Sequence, residues 1–175
     1  MSYSGESRAA FFMLLISVIG LFTIPLLPWM MNTYDYPEGS GAVHTTELDI
    51  MGNADSVDED LENMATDLTW IGYCYMIMTA LAAIAVIGTL LNRAGYSPTV
   101  GYIGGAAAMM AILIIILHVM YIIHVADYND EHGGDEEFFG ETYSDSYMMG
   151  INLIPLACAV LMVPLSVKHI FALDR

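Results

Sequence analysis

His118, Tyr121 and His124 stand close together inside a run that is otherwise apolar. An imidazole can carry a proton near neutral pH or give a lone pair to a metal, and a phenol can pass a proton or anchor a cofactor. Ionisable groups in a hydrocarbon phase are costly and mark ion, proton or substrate paths. On a helix His118 and Tyr121 share a face, as do Tyr121 and His124, while the two imidazoles point about 120° apart. One metal ion held by both is therefore disfavoured. Haem is disfavoured as well, because each imidazole would need a ligand opposite it and the other apolar runs supply none. His169 lies at the end of the last run. The plain alternative is a neutral His118 hydrogen-bonded to a Tyr, an Asn or a carbonyl.

A second group is dense in oxygen ligands: Asp127, Asp130, Glu131, His132 and Asp135. The EF-hand needs acids at alternate positions, a Gly at the sixth and a Glu at the twelfth, and this segment is out of that register. A solvated acidic loop is expected, with a weak divalent-cation site on these five residues as the one exception. A third group is apolar. Val57, Leu61, Met64 and Leu68 recur at helical spacing and form a stripe that needs a partner, either the chain's own second loop or another protein. No phosphate loop, zinc-protease helix, nucleophile elbow or paired-cysteine motif occurs, so no enzyme is expected. No Asp or Glu interrupts the apolar runs, which argues against a stand-alone pump. Cys74 and Cys158 read as small buried hydrophobes, and the Met residues as gap fillers.

The elements that position these groups follow from the charge. The chain has 175 residues, a formal charge of −16, 57% hydrophobic residues and only 14% charged ones. So few Lys and Arg exclude nucleic-acid binding, and so much apolar content excludes disorder. Four uncharged apolar runs, about 9–31, 68–91, 100–126 and 147–167, are each long enough to cross a bilayer, for which about 20 residues suffice. The sequence thus predicts an all-α integral membrane protein. It would be one domain over 1–175, built as a four-helix antiparallel bundle. Arg8, Arg93, Lys168 and Arg175 all lie on one side of these spans. The loops 32–67 and 127–146 hold ten and eight carboxylates and no Lys or Arg. The positive-inside rule then puts both termini in the cytoplasm and both long loops outside the cell membrane.

The first run is longer than a signal-peptide core and no small-residue cleavage pattern follows it, so a retained helix is expected, with Trp29 at the outer interface. Ser56 with Glu59 forms a capping box, and Asp58, Glu59 and Asp60 favour a helix start there. The second helix should therefore begin near Ser56 and stand out of the membrane as part of an acidic cap. Asn92 to Pro98 is short and makes helices two and three a hairpin. Gly101 and Gly105, Gly104 and Ala108, and Ala107 and Ala111 put small residues at close-packing spacing, with a helix of the same chain the expected partner. Pro25, Pro28, Pro155 and Pro164 can bend the outer helices.

The layout resembles the claudin-type tetraspan arrangement: termini inside, a long first outer loop, a shorter second one, Trp29 at the start of the first loop and a small-residue opening of helix three. The resemblance is one of topology. The paired cysteines and neighbouring Trp of that family's first loop are missing here, and no residue role is carried over.

Two functions remain open. One is a structural or accessory subunit whose acidic outer loops bind cations or a partner protein, with Val57, Leu61 and Met64 as partner contacts. The other is a redox or transport subunit that uses His118, Tyr121 and His124. The lipid bilayer is the first partner in either case, with other membrane subunits or further copies of the chain beside it. No cofactor is expected. A salt-adapted source would suit loops this acidic, since salt screens their repulsion.

Overall fold

The computed structural model describes residues 5–26, 29–35, 42–46, 59–91, 98–138, 141–149 and 153–173. In chain order these form α1 (Gly5–Thr23), β1 (Met30–Asp35), β2 (Ala42–Thr46), α2 (Glu59–Leu91), α3 (Pro98–His132), β3 (Gly134–Phe138), β4 (Glu141–Met149) and α4 (Ile154–Leu173). The four helices are there as the apolar runs predict. The all-α expectation is amended in the loops, which carry a four-stranded antiparallel sheet in the order β2-β1-β4-β3. The chain divides into two compact units. They are described separately.

The first unit comprises Met1–Ile24, Ile71–Ile116 and Ile154–Arg175. Its inward residues recur every three or four positions: Ala9, Ala10, Met13 and Ser17 on α1, Ile71, Cys74, Tyr75, Met78, Ala82 and Ala85 on α2, Ala107, Ala111 and Ile114 on α3, and Cys158, Ala159, Met162, Ser166 and His169 on α4. The interior is thus largely small or weakly polar. Many other large apolar side chains face outward, among them Phe11, Phe22, Ile84, Ile87, Met109, Ile112 and Leu161. Helices apolar all round belong to a large core or to a lipid phase. Small interior residues let backbones approach. A Cβ on Gly104 would stand 3.1 Å from His169 and 3.3 Å from Ile170, so α3 lies close against α4 at this point. On α1, Gly20 leaves room for the Tyr75 ring, whose hydroxyl donates to the Pro155 carbonyl.

α1 stops at Thr23 instead of running on to Met31. Pro25 is the reason: its ring disfavours a helical conformation at Ile24, and it has no N–H to continue the ladder. The Thr23 hydroxyl lies 2.9 Å from the Gly20 carbonyl, one of the acceptors the helix end leaves over. α4 is shifted the other way. It starts at Ile154, seven residues later than the apolar run, and continues past Val167 to Leu173. Tyr147, Met148 and Met149 belong to β4 instead, paired with Asn32, Met31 and Met30. A short apolar run does not by itself distinguish strand from helix. Pro155 then sits in the first turn of α4, where proline is tolerated. Among the described residues, Asn63–Leu90 and Tyr102–Glu131 are long and apolar enough to cross a membrane, whereas the apolar parts of α1 and α4, Arg8–Thr23 and Ile154–Ile170, are shorter.

The second unit comprises Pro25–Trp70 and Leu117–Leu153. β1 is central, pairing with β2 from Met30↔Thr46 to Tyr34↔Ala42 and with β4 from Met30↔Met149 to Asp35↔Ser144. β3 pairs with β4 from Gly134↔Asp145 to Phe138↔Glu141. From the helices, Met64, Ala65, Asp67 and Leu68 of α2 and His118, Tyr121, Val125 and Tyr128 of α3 are buried. The 118, 121, 125, 128 spacing carries α3 beyond the expected end near Ala126, through Asp127 to His132. Gly133 ends it by donating from its N–H to the Asn129 carbonyl at 2.8 Å, in the space a Cβ would occupy. Gly134, with φ +154°, turns the chain into β3, a backbone angle L residues rarely adopt. Ser56, the expected cap of α2, and Val57 lie outside the described residues. α2 is helical from Glu59.

Candidate functional site: a histidine, tyrosine and carboxylate cluster

The three residues with the clearest chemistry, His118, Tyr121 and His124, fall in the second unit on α3. Tyr121 is fully buried, and its hydroxyl donates to the Trp29 carbonyl at 2.6 Å. A buried phenol needs such a partner, since a hydroxyl left without one costs a few kcal/mol. The Trp29 ring meets Tyr121 edge-on, with centroids 5.4 Å apart and an 84° interplanar angle. It also meets His118, with centroids 5.5 Å apart and a 41° interplanar angle. Trp29 is 3% exposed and His118 is 1% exposed. The residue expected at an outer interface is therefore buried against these two α3 side chains, and the chain passes directly from it into β1.

His124 faces elsewhere, as its helical angle to His118 requires. Its Nδ1 lies 2.7 Å from Oδ2 of Asp67 on α2. The Asp67 side chain is 8% exposed and that of His124 is 31% exposed. With Asp67 ionised, the Nδ1–H of His124 donates to it and Nε2 keeps a lone pair or a second proton. A carboxylate that fixes the tautomer of an imidazole in this way makes the other nitrogen a directed base or ligand. A buried carboxylate without such a donor would be strongly destabilising. The pair also ties α2 to α3 inside this unit.

Asp67 is the residue that sequence reasoning misses. It stands at the end of the acidic loop in the sequence, one of ten carboxylates there. The signal that could find it is the hairpin: Asp67 and His124 lie at nearly equal distances along the chain from the Arg93 link, so antiparallel helices bring them to one level.

The other candidates are placed differently. Asp127, Asp130 and Glu131 are on the last turns of α3 and exposed, not on a loop. His132 ends α3 and Asp135 lies on β3. Among the described residues no group of three or more His, Cys, Asp or Glu is placed to hold a metal ion. Met64 of the apolar stripe is 0% exposed and Leu68 likewise, so this end of the stripe is covered by the chain itself and offers no outer surface. Leu61 is on α2 and completes the expected helical run.

No known protein family matches the chain, and no curated protein does.

Proposed function

We propose that the chain is a small polytopic membrane protein, a structural or accessory subunit whose acidic extracytoplasmic portion binds cations or a partner protein. The observation that carries this reading is the partition of charge between the compact units. Arg8, Arg93, Lys168 and Arg175 all belong to the first, and eighteen of the twenty carboxylates to the second, the exceptions being Glu6 and Asp174. A water-soluble protein has no reason to leave one unit apolar on the outside and gather its acids in the other. A bilayer supplies that reason. The apolar parts of α1 and α4, Arg8–Thr23 and Ile154–Ile170, reach about 24–26 Å at 1.5 Å per residue, a few Å short of a hydrocarbon core of about 30 Å. α2 and α3, at 33 and 35 residues, exceed it and leave turns over on one side. The reading takes all four helices as spans, with both termini and the Arg93 link cytoplasmic. Exposed Trp70 and Tyr73 on α2 and Tyr102 on α3 suit the two interfacial belts.

Mild-detergent purification with equilibrium dialysis against calcium and magnesium tests the role. The reading expects either a co-purifying membrane protein or saturable divalent binding that is lost in high salt. A chain that is monomeric, alone and indifferent to both ions contradicts it.

A second reading, a redox or transport subunit using His118, Tyr121 and His124, is supported by the way Trp29 and Asp67 gather around those residues. It expects His118→Ala to abolish flux in proteoliposomes while the protein still folds, or an optical spectrum with a bound chromophore. Unchanged flux together with a featureless visible spectrum contradicts it.

A further inference from the structure

The two edges of the sheet differ in chemistry. β3, at one edge, carries Asp135, Glu136 and Glu137 within five residues. Charge along an edge is a common way for proteins to block stray strand pairing. β2, at the other edge, consists of Ala42, Val43, His44, Thr45 and Thr46. It has no carboxylate, no Lys or Arg and no Pro, and two of the five are the β-branched Thr45 and Thr46 beside the β-branched Val43. It pairs with β1 along its whole length, and among the described residues no strand pairs with its other side. Alternate N–H and C=O groups of an edge strand point away from the sheet and are available to an added strand.

The charge around this edge selects the occupant. The unit that contains β2 has eighteen carboxylates and no Lys or Arg. A second copy pairing edge to edge would bring an equal negative charge against it. An extended basic segment would instead meet an attractive field during approach and an unguarded backbone on arrival. We propose that the β2 edge is a docking site for an extended, Lys- or Arg-rich segment of a partner protein, which joins the sheet as a fifth strand. Main-chain hydrogen bonds supply the affinity, and alternate basic side chains supply the choice of partner. The proposal rests on the reading that the acidic portion binds a partner, and it names that partner's chemistry and the strand it meets.

The test uses the full chain in detergent and two synthetic peptides, one of alternating Lys and Val, the other identical but N-methylated on every backbone nitrogen. The charge is the same in both, and only the first can form a ladder. The first should bind about tenfold or more tightly than the second, since each lost hydrogen bond is worth about 1 kcal/mol. Thr45→Lys, which places a guarding charge on the edge, should remove that advantage, and Thr45→Val should keep it. Equal binding of the two peptides would overturn the docking proposal while leaving a cation-binding acidic portion intact. Binding of neither would also overturn the docking proposal, and the calcium and magnesium dialysis then decides the cation-binding reading separately. An advantage that persists in Thr45→Lys would also overturn it, as would self-association of the chain that Thr45→Lys dissolves, because the occupant would then be a second copy.

Discussion

Removing one member of the Asp67–His124 pair should cost more than removing both. His124→Ala leaves a carboxylate at 8% exposure without its donor, and a loss of about 2–3 kcal/mol is expected. Asp67→Asn keeps a polar partner and should cost about 1 kcal/mol. In Asp67→Leu combined with His124→Leu no charge is left buried, and that variant should lie closer to the wild type than His124→Ala does. Denaturant or thermal unfolding of the purified variants gives all three values. Equal stability of His124→Ala and the wild type would mean that the pair does not bind α2 to α3. Tyr121→Phe strips the Trp29 carbonyl of its donor and should cost about 1–2 kcal/mol, with altered Trp fluorescence because Trp29 lies against that ring. At this scale the sequence is informative about types and blind about partners. His118, Tyr121 and His124 are conspicuous because they interrupt an apolar run. Asp67 is hidden among many acids, and Trp29 reads as an interfacial residue, because each meets α3 only through the fold.

The helices follow from local physics and the strands do not. Uncharged runs of twenty residues dictate helices, and Pro25, Pro98 and the Gly133–Gly134 pair mark where helices stop or start. β1 and β4 pair Met30 with Met149, residues far apart in sequence whose segments show no clean alternation of apolar and polar positions. Without that period a strand cannot be told from a loop or from the end of an apolar helix, which is why 147–149 reads as helix. The acids from Asp127 to Glu131 read as loop although the buried stripe from His118 to Tyr128 continues through them. Packing between elements gives a further prediction. Gly20→Ala would drive a Cβ into the Tyr75 ring, and overpacking of this kind costs about 1–3 kcal/mol. Tyr75→Leu in the same chain should restore part of that loss by clearing the ring, although it gives up the hydrogen bond to Pro155. If Gly20→Ala unfolds like the wild type, α1 does not lie where the structure places it.

For the whole molecule the decisive property is the separation of charge from apolar surface. Eighteen carboxylates without a Lys or Arg among them repel one another, and the acids at the end of α3 also oppose its helix dipole. Raising NaCl from about 0.1 M to about 1 M shortens the Debye length from about 10 Å to about 3 Å. The thermal midpoint should therefore rise with salt, and circular dichroism in a non-ionic detergent would record it. A midpoint that falls would mean that attractive ion pairs outweigh the repulsion. The central claim is that the apolar helices cross a membrane with the acidic portions on the outer side. The most direct measurement starts from a chain with Cys74 and Cys158 replaced by Ala and introduces single cysteines at Ser56, Ser97 and Ser2. An impermeant maleimide applied to intact cells should label the cysteine at position 56 and reach those at 97 and 2 only after the membrane is opened. Labelling of all three in intact cells, or of positions 97 and 2 but not 56, would contradict the account.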